Sequence, residues 1–159
     1  MNLPSSITTR LQYQHKSLLD IIDGLNDEQI RMAIIPGKWS VFEHIVHLET
    51  YQHTFVNRVK QMLEQDGVEF PPYSAESDPL FHEHLDKSSR EIIQNLLTTR
   101  KEMSVSMSAF TEADIQRKGA HAVYGLHNIH GWLNFFLLHE AHHLFAIFKM
   151  AGLLRSGNY

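Results

Sequence analysis

Apolar side chains return every three or four residues in four stretches of the chain, the spacing of helices with one buried face. The first stretch covers about residues 5–24, carries Ile7, Leu11, Leu18, Leu19 and Ile22, and stops near Gly24. Asn26, with Gln29 three residues later, marks a short capped turn. The second runs from Ser40 to about Gln65 with the stripe Val41, Ile45, Leu48, Phe55, Val59 and Met62. Pro36-Gly37 is a turn before it, and Ser40-Val41-Phe42-Glu43 has the form of a capping box. The third starts at a Ser77 or Asp78 cap with Pro79 in the first turn and reaches Phe110 through Leu85, Ile92, Ile93, Leu96, Leu97 and Met103. The fourth begins between Gly125 and Asn128 and ends near Ala151-Gly152. The segments 67–73 and 119–125 read as loops, and Thr111 to Ile115 as a capped turn. No strand-like alternation or internal repeat is visible. The pattern predicts an all-α protein: one domain over residues 1–159, a single four-helix bundle.

Composition narrows the chemistry. The chain has no cysteine, which removes disulfides, thiolate metal sites and a cysteine nucleophile. Its 14 Lys+Arg against 18 Asp+Glu leave no cationic excess for a phosphate backbone, so no nucleic-acid partner is expected. The N-terminal stretch lacks a basic segment followed by an apolar run, and His130, Asn134, His139, Glu140, His142, His143 and Lys149 interrupt the most apolar segment. The expectation is a cytoplasmic protein with no membrane partner. The unusual number is 12 histidines, because six of them fall between His121 and His143 and direct attention there.

On the fourth helix, Trp132, Phe136, His139, His143, Ile147 and Met150 share one face. His139 and His143 therefore rise from adjacent turns, within reach of one metal ion. Two imidazoles in an apolar stripe need partners, since each costs about 1–3 kcal/mol if buried unsatisfied. The bland alternative is a pair of hydrogen-bonded core histidines. The second helix offers a third ligand in either His44, nearer the stripe's centre, or His47, at its edge beside Tyr51, and periodicity leaves the choice open. His139-Glu140-Ala141-His142-His143 also matches H-E-x-x-H, the zinc-peptidase signature. Only 16 residues follow His143, and Phe145-Ala146-Ile147-Phe148 breaks the extended form of that motif, so a peptidase is not expected.

Lys38-Trp39-Ser40-Val41-Phe42-Glu43-His44-Ile45-Val46-His47-Leu48 resembles the K-W-S-x-x-E-x-x-x-H-L segment of the DinB-like (DinB/YfiT) superfamily. Tyr124-Gly125 followed by Leu138-His139-Glu140-Ala141-His142-His143-Leu144 is similar to that family's last helix with its H-x-x-x-H pair. The order, spacing and length agree over nearly the whole chain. The resemblance implies a four-helix bundle holding a divalent metal, nickel or zinc, on His47, His139 and His143. It thus prefers His47 to His44. It further implies a frequently dimeric protein, with relatives that include bacillithiol-dependent S-transferases and mycothiol-dependent isomerases. His44, His130 and His142 lie outside the motif.

Three imidazoles leave a coordination position open, the arrangement of a catalytic rather than a structural site. Without a cysteine in the chain, any thiol must arrive as a low-molecular-weight cosubstrate. The first expectation is a metal-dependent thiol S-transferase or related detoxifying enzyme acting on a small-molecule substrate. The alternatives are a metal-dependent hydrolase, a metal-binding stress-response module without turnover, and an all-α interaction protein with structural histidines. Glu43 is expected to cap its helix, Trp39 to anchor that cap, Tyr51 to pack in the core, Glu140 to face solvent or an interface, and His130 and His142 to be structural or partly exposed. The fourth helix is apolar on nearly every face, more than one bundle core needs, which predicts a homodimer.

Overall fold

A computed structural model describes residues 3–157 and Tyr159. The first apolar stripe forms two helices, α1 (Ser5–Tyr13) and α2 (Ser17–Ile22), joined by a 3₁₀ turn over Gln14–Lys16. The short helix α3 (Asp27–Arg31) carries the Asn26/Gln29 capping box seen in the sequence. Ser40 and Glu43 close the second box: the Ser40 amide donates to Glu43 Oε2 at 2.7 Å and the Glu43 amide to Ser40 Oγ at 3.2 Å. They start the long helix α4 (Val41–Glu64).

The third predicted helix is two helices, α5 (Pro79–Leu85) and α6 (Ser89–Ser108). Arg31 explains the break, because its guanidinium takes the carbonyls of Leu85 and Lys87, the latter at 2.6 Å. Ser88 then caps the new helix by accepting from the Glu91 amide. After the small helix α7 (Glu112–Gln116), the last helix α8 runs Ile129–Ser156 and stops at left-handed Gly157, not at Ala151-Gly152.

The segments read as loops hold three short strands, β1 (Val68–Phe70), β2 (Lys118–His121) and β3 (Gly125–Asn128). They form one sheet in the order β1-β2-β3, with β1 parallel to β2 and β2 antiparallel to β3. The protein is therefore a helical bundle with a small sheet at its side rather than a bare four-helix bundle. Trp132 Nε1 ties the sheet to α8 by donating to the Gly119 carbonyl at 2.9 Å. A Cβ on Gly119 would lie 2.6 Å from Met62 Sδ, so β2 can press on α4 only with glycine there. Among the described residues, no helix is long and apolar enough to cross a membrane.

The bundle core has two apolar halves. One gathers Leu11, Phe55, Met103, Trp132 and Phe136; the other gathers Leu18, Ile45, Leu96, Leu144 and Ile147. The boundary between them is marked by polar residues: Gln14 and His15 in the 3₁₀ turn, His47, Glu49, Thr50 and Gln52 on α4, Arg100 on α6, and His139, Glu140 and His143 on α8. The candidate site lies in that layer.

Candidate metal centre

The box-fixed start of α4 sets the azimuth of everything after it, so His44 and His47, three residues apart, look to the same side. On α8, His139 and His143 stand one turn apart and meet them. His47 Nε2 lies 3.0 Å from His139 Nε2, and His139 Nε2 lies 3.1 Å from His143 Nε2. All three could hold one ion between them. Nitrogens on adjacent positions of one ion, at bonds of about 2.0–2.1 Å, sit roughly 2.9–3.4 Å apart, so the donor set fits a divalent cation that accepts imidazole.

The rings are neutral. Burial pushes His47 down to about 3, His139 to about 4 and His143 to about 2, with neighbouring imidazoles adding to the effect. Neutral imidazole is the form that donates a lone pair to a metal. Without a cation, three ring nitrogens crowd one point, and each contact can be satisfied by at most one proton.

Aromatic groups wall this point. Trp39 packs on His47 at 5.1 Å between ring centroids, on His44 at 5.3 Å and on His143 at 6.1 Å, and it stacks on Phe81. Its role is therefore wider than anchoring the cap. Tyr51 is buried as expected, yet its ring also faces His139 at 4.5 Å. Tyr73, from the stretch before α5, stacks against His47 at 5.9 Å and donates to Asp78 Oδ2 at 2.9 Å. A cavity of about 780 Å³ beside His139 is lined by Tyr124, Trp132, Phe135 and Leu138 together with His121 and His142.

Of the two candidate ligands on α4, His47 joins the cluster through Nε2, whereas His44 stands behind His143 with its Nδ1 2.8 Å from His143 Nδ1. Glu43 serves the cap. His142 is exposed and His130 half-buried. Glu140 is a correction. It is only 1 % exposed, faces neither solvent nor an interface, and forms a buried ion pair with Arg100. The glutamate of the H-E-x-x-H match is thus turned away from the histidines and engaged. Sequence reasoning also missed buried Glu49, which lies 2.6 Å from His84 Nδ1 and 2.9 Å from His53 Nε2.

The sequence profile of the DinB superfamily matches residues 10–147. The chain belongs to the DinB superfamily. A comparison with curated proteins finds no significant match. Among solved structures the chain is similar to YfiT from Bacillus subtilis, described as a probable metal-dependent hydrolase with an unusual four-helix bundle topology. The two share 17 % identity with a TM-score of 0.79, over 96 % of this chain and 86 % of that one. The likeness at this identity is one of fold.

Proposed function

We propose that this DinB superfamily member is a divalent-metal-dependent enzyme acting on a small molecule, with His47, His139 and His143 as its ligands and nickel or zinc as the ion. The observation that carries the reading is the convergence of three neutral Nε2 atoms, from buried His47 and His143 and half-buried His139, on one point. His47, His139 and His143 would hold the ion, which would supply Lewis acidity toward a thiol or a water. The protein's own part is to fix the three lone pairs, to keep water off the α4 side with Trp39, Tyr51 and Tyr73, and to offer an apolar cavity beside His139 to the substrate.

Thiol transfer to an electrophile is the first activity to assay. The chain has no cysteine, so the thiol would enter as a cosubstrate. Hydrolysis is the second, favoured by the description of YfiT. Metal content of untagged protein, before and after reconstitution with nickel or zinc, is the primary test. Near one ion per chain, lost in His139→Ala and His143→Ala, is expected. Metal-free protein after reconstitution would overturn the reading. Loaded protein then meets a low-molecular-weight thiol with a chloro-arene or epoxide, and a hydrolase panel. Rates no better than free metal in both would leave a binding module without turnover.

We further propose a homodimer. Leu138, Phe145 and Phe148 are 64, 60 and 58 % exposed, and no other described element covers that face of α8. Phe145→Glu with Phe148→Glu should sediment as a monomer. A native chain that is itself monomeric would remove this part.

A further inference from the structure

We propose that His44 is a positioning residue for the metal centre: it accepts a hydrogen bond from His143 and so holds that ring's Nε2 on the ion. The inference rests on the metal reading above and adds a residue outside the family's ligand motif.

The argument begins with the two nitrogens of each ring. A histidine that gives one nitrogen to a metal keeps its proton on the other, and what that proton meets fixes the ring's rotation. His143 points Nε2 at His139 and presents Nδ1 to His44 Nδ1 at 2.8 Å. Two imidazole nitrogens at this distance share one proton, so one donates and the other accepts. With His143 Nε2 committed to the ion, the proton belongs on His143 Nδ1. His44 must then accept at Nδ1 and carry its own proton on Nε2. The metal thereby dictates the direction of a hydrogen bond between residues 99 positions apart.

The fold supports His44 in this role. His44 follows the Ser40/Glu43 box directly, where the helix start is fixed by two reciprocal hydrogen bonds. Trp39 holds its ring edge-on at 5.3 Å and lies against His143 at 6.1 Å, so one indole braces both imidazoles. The contrast within the cluster is sharper still. His47 Nδ1 and His139 Nδ1 are buried without a hydrogen-bond partner among the described residues. Of the three rings that converge, only His143 has its second nitrogen engaged by another side chain.

The test uses the full chain and zinc alone, with affinity read by competition against a chromophoric chelator and ring tautomers read from long-range ¹H–¹⁵N spectra. His44→Ala should weaken zinc binding about 10–100-fold, the usual cost of losing such a partner, with the stoichiometry unchanged. His44→Asn, whose side-chain oxygen can occupy the place of Nδ1, should recover most of that loss. A space-filling role would instead give both variants the same deficit. In the zinc-loaded native chain, His143 should carry its proton on Nδ1 and His44 on Nε2. In His44→Ala the His143 signals should move and those of His47 and His139 should not. Full affinity in His44→Ala, the opposite tautomer at His44, or a zinc-bound His44 nitrogen would each overturn the proposal. If His44→Ala does not fold, the native tautomers and the Asn variant still decide it. A native chain that takes up neither zinc nor nickel removes the metal reading and this role with it. A native chain that binds zinc, matched by the Ala variant, removes only the role of His44.

Discussion

His139 and Glu140 are neighbours on α8, about 100° apart around the helix, and they serve two opposite designs in one layer of the bundle. On the Glu140 side the polar groups close on one another. Arg100 pairs with the carboxylate, its Nε donates to Gln52 Oε1 at 2.8 Å, and its guanidinium lies 4.7 Å over the Phe136 ring. Gln14 donates to Glu140 Oε2 and to the Leu137 carbonyl, both at 2.8 Å, and Gln52 donates to the Leu96 carbonyl. On the His139 side nitrogens face nitrogens, and among the described residues no carboxylate or carbonyl closes the set. A network that satisfies itself specifies how helices pack. A neighbouring cluster that leaves lone pairs converging is suited to a cation. The two sides should therefore answer differently to substitution.

The largest effect is expected on the closed side. Glu140→Ala strands the Arg100 charge in the core and should cost about 3–5 kcal/mol of stability by chemical denaturation. Glu140→Gln keeps the shape and should cost less. The double variant Arg100→Met with Glu140→Leu should regain much of the loss, because no buried charge is left unpaired. Zinc affinity should stay near native in whichever of these variants fold. A hundredfold loss of affinity in Glu140→Gln would erase the distinction between the two sides.

The open side should respond to metal instead. An ion that binds only the folded chain adds about 2.7 kcal/mol when its concentration is 100 times Kd. Thermal melting with and without nickel or zinc should show that gain in the native protein and none in His143→Ala. An equal rise in His143→Ala would place the bound ion elsewhere.

What the sequence disclosed of this layer, and what it hid, follows from the range of the interactions. The caps at Asn26 and Ser40 and the capped turn from Thr111 are local, and all three are present. The His139 and His143 pair is equally local, being set by helix pitch. Strands of three and four residues are too short to show alternation, and β1 meets β2 across some fifty intervening residues, so the sheet left no signature. The α5–α6 break depends on Arg31 reaching from α3. Glu140 was misplaced because α8 is apolar on nearly every face, which conceals the inward side, and its partner Arg100 lies on another helix. Choosing between His44 and His47 had the same obstacle. Both point inward, and only the approach of α8 separates the ring that joins the cluster from the one that stands behind His143.

His15 gives the comparison its finest test, because it sits on the closed side yet is left out of the closure. Its ring is buried in the 3₁₀ turn, its Nδ1 has no hydrogen-bond partner among the described residues, and it borders a cavity also lined by Lys16, Arg100 and Lys101. Burial first, then the Arg100 and Lys16 charges, push its pKa down to about 3. The unfolded chain, with an ordinary imidazole near 6.5, binds the proton more readily. The stability that His15 confers by staying neutral is thus fully present above pH 6.5 and is lost as pH falls toward 3. Between pH 7 and pH 5 that single ring accounts for about 2 kcal/mol, at about 1.36 kcal/mol per pH unit below 6.5. Metal-free native protein and His15→Gln, each melted in urea across that range, should differ in slope by that amount, with the variant the flatter. The cluster histidines titrate alike in both chains and cancel in the difference. Parallel pH profiles would mean that His15 takes up its proton in the folded state at little cost, and the closed side would then be more tolerant of charge than its geometry implies.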